Sequence, residues 1–465
     1  MSETKGGGYG GKGRGSKEAL LAGLRAADRS RKTKVDAAGP TPAEPAAAPS
    51  RRIKAFDFGE LPAYRELRLH RAAADMMGIA NPFFRSHDGL AGASSRIGNR
   101  DYLNFASYNY LGLNGHSAVD AAAKAAIDRY GTSVSASRLV AGERPIHREL
   151  EERIAALHGV DDAVVMVSGH ATNVSTIGTL LGRKDLVLFD SLIHNSVVEG
   201  ARLSGAARLT FPHNDWRALS KLLEKVRHDY DHVLIVIEGL YSMDGDVPDL
   251  ARFIEVKAEH DAWLMVDEAH SLGVVGETGR GIAELAGVDP RGVEIWMGTL
   301  SKTLSGCGGY IAGSHALVEY LKVKTPGFVY SVGLAPALAA AAIASIEVME
   351  AEPERVARLR RNGLFFLKEA RRAGLDTGHS EGYSVVPIIV GGSPQAAVLA
   401  DRLYLRGLNV LPIIYPAVPE KAARLRFFLT ALHTEAEIAE AVRITAEEVA
   451  SVLAAGSVLQ QLGAR

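Results

Sequence analysis

The chain has 465 residues, of which 47% are hydrophobic and 23% charged, enough to build more than one hydrophobic core. Its formal net charge of −1 gives no argument for binding nucleic acid or an anionic membrane surface. The single cysteine, Cys307, excludes an intramolecular disulfide. No His/Cys spacing predicts a metal site and no apolar run reaches the ~18 residues of a membrane span, so we expect a cytoplasmic protein.

The first 55 residues differ in composition from the rest of the chain. They contain twelve Lys/Arg against five Asp/Glu, a local excess of seven positive charges, and they include Gly/Lys-rich and Ala/Pro-rich stretches. Such stretches cannot bury enough apolar surface to fold, and no apolar segment typical of a signal peptide is present. We therefore expect a disordered basic extension over residues 1–55, followed by an N-terminal segment over residues 56–115.

From Tyr102 onward, short apolar runs alternate with helical patterns, which is typical of an α/β fold with a mainly parallel sheet. A large domain is predicted over residues 116–335, with seven strands at 163–167, 186–189, 208–211, 233–237, 263–266, 294–297 and 309–312. After Pro336 the sequence changes to an Ala-rich helical pattern and then to "YSVVPIIV" and "LRFFLTALH", separated by helices. This change predicts a smaller α+β domain over residues 336–465.

The stretch "WLMVDEAHSLG" contains Asp-Glu-Ala-His, which is also the nucleotide-hydrolysis box of a class of helicases. Those enzymes need a phosphate loop of the form G-x-x-x-x-G-K-[ST] as well. The only Gly-Lys pair is Gly11-Lys12, which Gly13 follows. The sequence therefore excludes the helicase interpretation.

Four polar residues follow predicted strands: Ser168, Ser242, Asp267 and Lys302. Ligands of open α/β sheets bind outside the carboxyl ends of the strands, so these side chains are expected to converge on one site. Pyridoxal 5'-phosphate (PLP) would use such groups: a lysine for the Schiff base, a carboxylate for the pyridine nitrogen, and hydroxyls for the phosphate. Lys302, among small hydroxyl residues and glycines in "GTLSKTLSGCGGY", is the candidate for the Schiff base.

Eight ordered motifs carry a resemblance to a known family: "NFASYNYLGL", "YGTSVSASRLVAGERPIHRELE", "VSGHATN", "DSLIHNSVVEG", "EGLYSMDGD", "VDEAHSLGVVGETGRG", "GTLSKTLSGCGGY" and "LRFFLTALHT". The chain resembles the α-oxoamine synthases, PLP-dependent acyltransferases, from about Asn81 to its C-terminus. The resemblance implies the fold-type I architecture of PLP-dependent transferases and a homodimer. It also implies decarboxylative condensation of an amino acid with an acyl thioester to give an α-amino ketone.

The resemblance implies roles for individual residues. Those implied to be catalytic are Lys302, His194, Asp267 and His270. Those implied to bind the cofactor are Gly169, His170, Asn173, Ser242, Asp267, His270, Thr299, Ser301, Lys302 and Ser331, with Ser331 reaching the phosphate from a neighbouring subunit. Those implied to meet the substrate are Asn109, His194 and Arg426, with Arg426 on the amino acid carboxylate.

Each assignment has a structural alternative. His170 and Asp267 could cap helices, His194 could be a core histidine with its hydrogen bonds satisfied, and Lys302 could be a solvated surface residue. Arg426 could belong to a structural ion pair. Cys307 is expected to be a small packed residue, because nothing nearby would activate its thiolate.

The resemblance favours serine as the amino acid, because "SYNYLGL" is closer to the serine-using members. Ile414 and Ala417 in "LPIIYPAVP" stand where the 8-amino-7-oxononanoate synthases have arginine and threonine. The expected activity is therefore like that of serine palmitoyltransferase, in lipid biosynthesis. The alternatives are 8-amino-7-oxononanoate synthase, glycine C-acyltransferase and a non-catalytic scaffold subunit.

The thiol of the donor is left open between coenzyme A and an acyl-carrier protein. If an acidic carrier protein brings the acyl group, the basic extension over residues 1–55 could speed its encounter with the enzyme by electrostatic attraction. A solubilising tail is the alternative for that segment.

Overall fold

The structure is a computed structural model that describes residues 57–76, 78 and 80–454. The predicted disordered extension over residues 1–55 lies outside the described residues. The described α-helices are α1 (Pro62–Met76), α2 (Ser117–Tyr130), α3 (Pro145–His158), α4 (Gly169–Leu180), α5 (Asn195–Ser204), α6 (Trp216–Val226), α7 (Leu250–Glu259), α8 (Ile282–Ala286), α9 (His315–Lys324), α10 (Pro326–Val329), α11 (Pro336–Ala351), α12 (Glu354–Arg372), α13 (Ser393–Leu405) and α14 (Glu435–Ala454).

The described strands form three sheets. They are β1 (His87–Asp88), β2 (Ser94–Ile97), β3 (Arg100–Asn104), β4 (Asp162–Met166), β5 (Leu186–Asp190), β6 (Ala207–Phe211), β7 (Val233–Glu238), β8 (Trp263–Asp267), β9 (Ile295–Thr299), β10 (Gly309–Gly313), β11 (Val385–Gly391), β12 (Leu408–Asn409), β13 (Leu411–Ile413) and β14 (Ala423–Phe428). Strands β4 to β10 form the large sheet, in the order β4-β10-β9-β8-β7-β5-β6. The predicted fold class, a large mainly parallel seven-stranded sheet domain with a smaller C-terminal domain, is confirmed.

The direction of the strands decides where the site lies. Strand β10 runs antiparallel to both of its neighbours, β4 and β9, and the other adjacent pairs of the large sheet are parallel. Two reversals cancel, so β4 runs in the same direction as β5 to β9. The carboxyl ends of these six strands therefore share one edge of the sheet, where residues 168–169, 191–194, 239–242, 268–270 and 300–302 follow.

The large sheet is buried on both faces, except along its edge strand β6. All six residues of β7 and all five of β4, β5, β9 and β10 are buried, which explains why these strands read as continuous apolar runs. Trp296 and Tyr310 are completely buried in adjacent strands of the sheet. This packed sheet gives the residues at its carboxyl edge a rigid base.

Two smaller sheets complete the described fold. Strands β11, β14 and β13 form an antiparallel sheet. Strands β11 and β14 fall in the stretches "YSVVPIIV" and "LRFFLTALH", and β13 was not predicted. Strands β1, β2 and β3 form an antiparallel meander to which β12 adds in parallel, so a segment before residue 105 pairs with one after residue 407. None of the helices in the part of the chain that the structure describes has the length and apolar character needed to cross a bilayer.

Candidate active site

Lys302 lies just beyond the carboxyl end of β9, in the turn that leads to β10. Burial lowers the pKa of its amine to about 8, although Asp267 and Glu238 act in the opposite direction. Its Nζ lies 5.7 Å from the centre of the Tyr108 ring. A cavity of about 620 Å³ opens beside it, and its lining includes Lys302, Ser301, Ser305, Tyr108, Asn109, Phe83, Phe84 and Leu411. The lysine that the motif singled out is thus a partly buried amine at a cavity and not a solvated surface lysine. Cys307, in the same turn, is exposed, so the expectation that it is a packed residue is wrong.

Asp267 is the last residue of β8, and its carboxylate is buried. Its Oδ2 accepts a hydrogen bond from Asn173 Nδ2 at 2.9 Å, and its Oδ1 accepts one from the backbone N–H of Ala269 at 2.9 Å. No lysine or arginine forms an ion pair with it among the described residues. A carboxylate held in this way can stabilise a positive charge that enters the site.

His270 and Ser242 lie beside Asp267, at the ends of β8 and β7. The ring Nδ1 of His270 is 2.7 Å from the hydroxyl of Tyr110, and burial holds the pKa of His270 well below its usual range. The backbone N–H of Ser242 donates to Glu238 Oε2 at 3.1 Å. Both predicted residues are buried at the edge where the strand ends meet.

A close contact joins helix α4 to the end of β9. A Cβ built on Gly169, the first residue of α4, would lie only 2.8 Å from Thr299 Oγ1, so a side chain there would fill the space between them. Ser301 donates its backbone N–H to Thr299 Oγ1 at 3.2 Å, and the two hydroxyls are 3.1 Å apart. Hydroxyls beside the N-terminus of a helix form a suitable site for a phosphate. His170 is exposed in the first turn of this helix.

His194 and Asn173 belong to one hydrogen-bonded chain. Asn173 Nδ2 donates to Ser196 Oγ at 2.9 Å as well as to Asp267, and Ser196 Oγ is 2.7 Å from His194 Nδ1. The rings of His194 and His170 meet edge to face, with their centres 6.4 Å apart. The structure thus brings the predicted His194, His170 and Asn173 together at this edge of the sheet.

The remaining predicted residues lie in three different surroundings. Arg426 Nη1 donates to the carbonyl of Ser242 at 2.9 Å, while its Nε is buried without a partner among the described residues. Asn109 lines the cavity, but its amide is engaged with the backbone of Ala91 and Asn114, so its role in substrate binding stays a prediction. Ser331 is partly buried beside β4 and is not among the residues that line the cavity of Lys302. Its predicted role across a subunit interface also stays a prediction.

The loop over residues 239–247, which carries Ser242, is held from two sides. On the side of the large sheet, His213 donates from one ring nitrogen to Asp190 and from the other to Asp246, both at 2.9 Å. On the side of the C-terminal sheet, Arg424 in β14 forms a buried ion pair with Asp244 at 2.7 Å. We call residues 239–247 the bridging loop, because it links the two sheets through these contacts.

Sequence reasoning missed three buried groups near the site: Ser196, Glu238 and Tyr110. Glu238 lies opposite Asp267 in the register of β7 and β8, and burial together with the Asp267 charge raises the pKa of its carboxyl to about 8. Its position at the end of an apolar strand, "VLIVIE", was a signal that could have identified it. Ser196 and Tyr110 stand inside quoted motifs, but only the folded chain shows what they contact.

Comparison with known proteins agrees with this geometry. The family model for "Aminotransferase class I and II" matches residues 100–444. The chain belongs to this family. Its sequence relatives include 8-amino-7-oxononanoate synthases of Geobacter metallireducens, 42% identical over 77% of this chain and 91% of that protein, and of Methylocella silvestris, 43% identical over 74% and 97%.

Solved structures of the family are similar as well. Sphingomonas wittichii serine palmitoyltransferase matches with a TM-score of 0.81 at 28% identity, over 85% of this chain and 99% of that one. The 8-amino-7-oxononanoate synthase of Francisella tularensis matches with a TM-score of 0.66 at 26% identity, over 75% and 98%. Within the aminotransferase family the chain is an α-oxoamine synthase, a PLP-dependent C-acyltransferase that acts on an amino acid and an acyl thioester.

The residues described above fit this cofactor. A partly buried lysine with a lowered pKa, a buried carboxylate with no ion-pair partner among the described residues, and a cradle that a Cβ would fill lie at one edge of the sheet. The comparisons also bear on the expected substrate. The sequence relatives at about 42% identity are 8-amino-7-oxononanoate synthases, whereas serine palmitoyltransferase matches at 28%, so they favour the alternative over the serine-using reading.

Proposed function

We propose that this enzyme condenses L-alanine with a seven-carbon dicarboxylic acyl thioester, with loss of carbon dioxide, to give 8-amino-7-oxononanoate. The product's name defines the two reactants. Carbons 8 and 9, with the amine, are what remains of alanine after decarboxylation, and carbons 1 to 7 are the acyl chain. The observation that carries the proposal is the 42% identity to synthases of this product over three quarters of the chain.

The geometry at the sheet edge supports an assignment of roles to individual residues. When bound, PLP supplies an electron sink for the charge that develops at Cα of the amino acid. Lys302 holds the cofactor and, with its pKa lowered to about 8, is a base of suitable strength for the α-proton. Asp267 would hold the proton on the ring nitrogen of the cofactor, and Arg426 would bind the carboxylate of the amino acid. Thr299 and Ser301, beside the start of α4, bind the phosphate.

A serine-using reaction with a longer acyl chain is the second candidate. Ile414 and Ala417 support it, because they replace the arginine and threonine that the resemblance associates with the seven-carbon substrate. The structural match to serine palmitoyltransferase, with its TM-score of 0.81, supports it as well. The two candidates share the lysine, the carboxylate and the phosphate cradle, and they differ only in what the cavity accepts.

The deciding experiment is a matrix of substrates. Purified enzyme loaded with PLP is incubated with alanine, serine or glycine, each with a seven-carbon dicarboxylic or a sixteen-carbon acyl donor on coenzyme A and on acyl-carrier protein. Mass spectrometry identifies the amino ketone. The proposal predicts the highest kcat/KM for alanine with the seven-carbon donor. A higher kcat/KM for serine with the long-chain donor would replace it with the second candidate.

A further inference from the structure

Ser196 occupies a central position in the candidate active site. It lies in the first turn of α5, is completely buried, and stands between Asn173 and His194. Its Oγ is 2.9 Å from Asn173 Nδ2 and 2.7 Å from His194 Nδ1, and the same Asn173 nitrogen is 2.9 Å from Asp267 Oδ2. A chain of three hydrogen bonds therefore runs from Asp267 to His194.

The carboxylate end of this chain sets the direction of the two bonds that Asn173 makes. An Asp267 carboxylate can only accept, so Asn173 must turn its NH₂ group toward it. Asn173 Oδ1 is consequently left buried without a partner among the described residues, which is the cost of that orientation. The second hydrogen of the same NH₂ group points to Ser196 Oγ.

The hydroxyl of Ser196 links Asn173 to His194. Because Ser196 Oγ accepts from Asn173, its single hydrogen is available for His194 Nδ1. The backbone N–H of Ser196 also points at His194 Nδ1, at 3.3 Å. A backbone N–H can only donate, so this nitrogen must carry a lone pair, and the hydroxyl of Ser196 can donate to it as well. In a neutral imidazole the ring proton is then on Nε2, which has no hydrogen-bond partner among the described residues.

We propose that Ser196 is a positioning residue that holds His194 as the neutral Nε2–H tautomer, so that the ring offers the substrate a hydrogen-bond donor. A donor at this position can hydrogen-bond to a carbonyl or carboxylate oxygen of a substrate, and it cannot remove a proton. The tautomer follows from the contacts alone, and only its use toward an acyl or amino acid substrate rests on the proposed function.

Burial of the ring, the largest influence on its pKa, acts in the same sense. Burial lowers the pKa of His194; Asp267 raises it, while Lys302, His170 and Arg426 lower it further. A protonated ring would also place an N–H at Nδ1 against the two donors of Ser196. Both effects keep His194 neutral.

The tautomer can be measured directly. Enzyme labelled with ¹⁵N-histidine is examined by two-bond ¹H–¹⁵N correlation spectra with and without PLP, and His194→Gln identifies the resonances of His194. The wild type is expected to show the Nε2–H pattern in both states. An Nδ1–H pattern or an imidazolium near neutral pH would overturn the proposal, whatever the substrate is.

Variants of Ser196 test its part in this arrangement. In Ser196→Ala only the backbone donor remains, so we expect a mixture of the two tautomers and a fall in kcat of roughly tenfold, with PLP content unchanged. Ser196→Thr, which keeps the hydroxyl, should restore the single tautomer. Ser191→Ala removes an exposed hydroxyl of the same segment and should match the wild type. A Ser196→Ala enzyme with the wild-type tautomer and kcat would overturn the proposal.

The substrate matrix separates this inference from the proposed function. If the wild type turns over serine and not alanine, the proposed function fails, while an Nε2–H spectrum still supports the tautomer assignment. If alanine is the substrate and the spectrum shows Nδ1–H, the proposed function stands and the tautomer assignment fails.

Discussion

Lys302 shows how burial prepares a side chain for chemistry. An ordinary lysine is almost completely protonated near neutral pH, and a protonated amine is neither a nucleophile nor a base. Burial brings the pKa of Lys302 to about 8, so a useful fraction of the amine is neutral, although the acidic groups Asp267 and Glu238 stand nearby. Desolvation lowers the pKa of Lys302 more than these acidic groups raise it. The site therefore combines a reactive lysine with a buried carboxylate, Asp267, that can stabilise a positive charge.

The first prediction concerns Lys302→Ala. This variant should lose the visible absorbance of coenzyme bound covalently to lysine, and its turnover should fall below detection, because no other group can replace the amine. Circular dichroism should show the wild-type fold. Lys324→Ala, which removes an exposed lysine of α9, is the control and should behave like the wild type. Near-normal turnover by Lys302→Ala would refute the assignment.

The second prediction concerns Asp267→Asn. The neutral amide cannot hold a proton on the ring nitrogen of the cofactor, so the rate of α-hydrogen exchange should fall on the order of a hundredfold or more, equivalent to about 3 kcal/mol. Retention of the cofactor should change much less, because the phosphate site is intact. Deuterium exchange at Cα of the amino acid, followed by NMR, measures the effect. Exchange at the wild-type rate would remove Asp267 from this role.

The third prediction is a stability effect at Glu238. Burial raises the pKa of this carboxyl to about 8, above the 4.5 of an unhindered glutamate. Between these pH values the folded chain binds a proton that the unfolded chain has released, so this group's contribution to stability falls as pH rises from 4.5 to 8. The side chain of Glu238→Gln cannot ionise, so the stability of this variant does not fall for this reason as pH rises.

Urea unfolding at several pH values tests this expectation. The free energy of unfolding of Glu238→Gln, relative to the wild type, should rise between pH 5 and pH 8 and then level off. Glu319→Gln, at an exposed position of α9, should show no such trend. A difference between Glu238→Gln and the wild type that stays constant over this range would contradict the raised pKa.

At the scale of elements, the bridging loop is held in place by contacts to both the large sheet and the C-terminal sheet. The loop carries two acidic residues that make these contacts. Asp246 accepts a hydrogen bond from His213, and Asp244 forms an ion pair with Arg424. Arg426 lies two residues after Arg424 in β14, and it donates a hydrogen bond to the carbonyl of Ser242 in the loop. The position of Ser242 and that of Arg426 are therefore coupled through the loop backbone.

The fourth prediction concerns His213, which anchors the bridging loop. Although burial lowers it, the hydrogen bonds to Asp190 and Asp246 raise the pKa of His213 to about 10. Its contribution to stability is therefore fully present below pH 6.5 and is lost as pH rises through 10. His213→Gln should lose about 3 kcal/mol at pH 6, since two buried carboxylates lose their cation, and the loss should shrink by pH 10. His228→Gln, at an exposed histidine, is the control for urea unfolding, and an equal loss at both pH values would contradict the ion pairs.

Strands were predictable where burial is complete, and strand direction was not. All seven strands of the large sheet were predicted to within two residues. For every strand except β6, whose residues alternate between partly buried and exposed, the signal is an apolar run produced by burial on both faces. That pattern is the same for either direction. The link from β9 to β10, residues 300–308, is shorter than the dozen or so residues of a parallel crossover, and this length could have predicted the antiparallel strand. The two-residue strands β1 and β12 carry no such signal.

The site could be predicted in the same uneven way. Residues that directly follow strands, such as Asp267 and Lys302, were accessible to sequence reasoning because strand ends converge. Ser196 and Glu238 are placed in the site by contacts and pairing between elements, and no local sequence pattern contains that information. The motif gave His194, but its hydrogen-bonding state depends on Asn173, which lies 21 positions earlier in another helix.

At the scale of the whole molecule, one face carries exposed apolar side chains around Ser331. Leu139, Val140, Tyr330 and Val332 are each more than half exposed. The segments that carry them are joined by a hydrogen bond from Ser137 Oγ to the carbonyl of Val329 and by one from the backbone N–H of Gly333 to the carbonyl of Ala136. A patch of this kind on a folded chain is typical of an interaction surface.

The fifth prediction is that this patch is the interface of a two-fold homodimer. Sedimentation velocity of the wild type should give twice the monomer mass. Val140→Asp should shift the equilibrium toward monomer and reduce turnover, because Ser331 would no longer reach the partner's phosphate site. Leu405→Asp, at an exposed leucine elsewhere, should leave both unchanged. A fully active wild-type monomer would refute the shared site.

The pairing of β3 with β12 has a consequence for folding during synthesis on the ribosome. Asn104 accepts a hydrogen bond from Asn409, 305 positions later, and Phe105 accepts one from the backbone of Phe428. The nascent strands β1 to β3 thus emerge long before their partners exist, and they must wait while about three hundred residues are translated, a delay of tens of seconds at typical elongation speeds. Chains released early, before residue 408, would leave β3 with an uncovered edge. We expect nascent chains arrested before that point to be far more sensitive to protease between residues 87 and 105 than the completed protein.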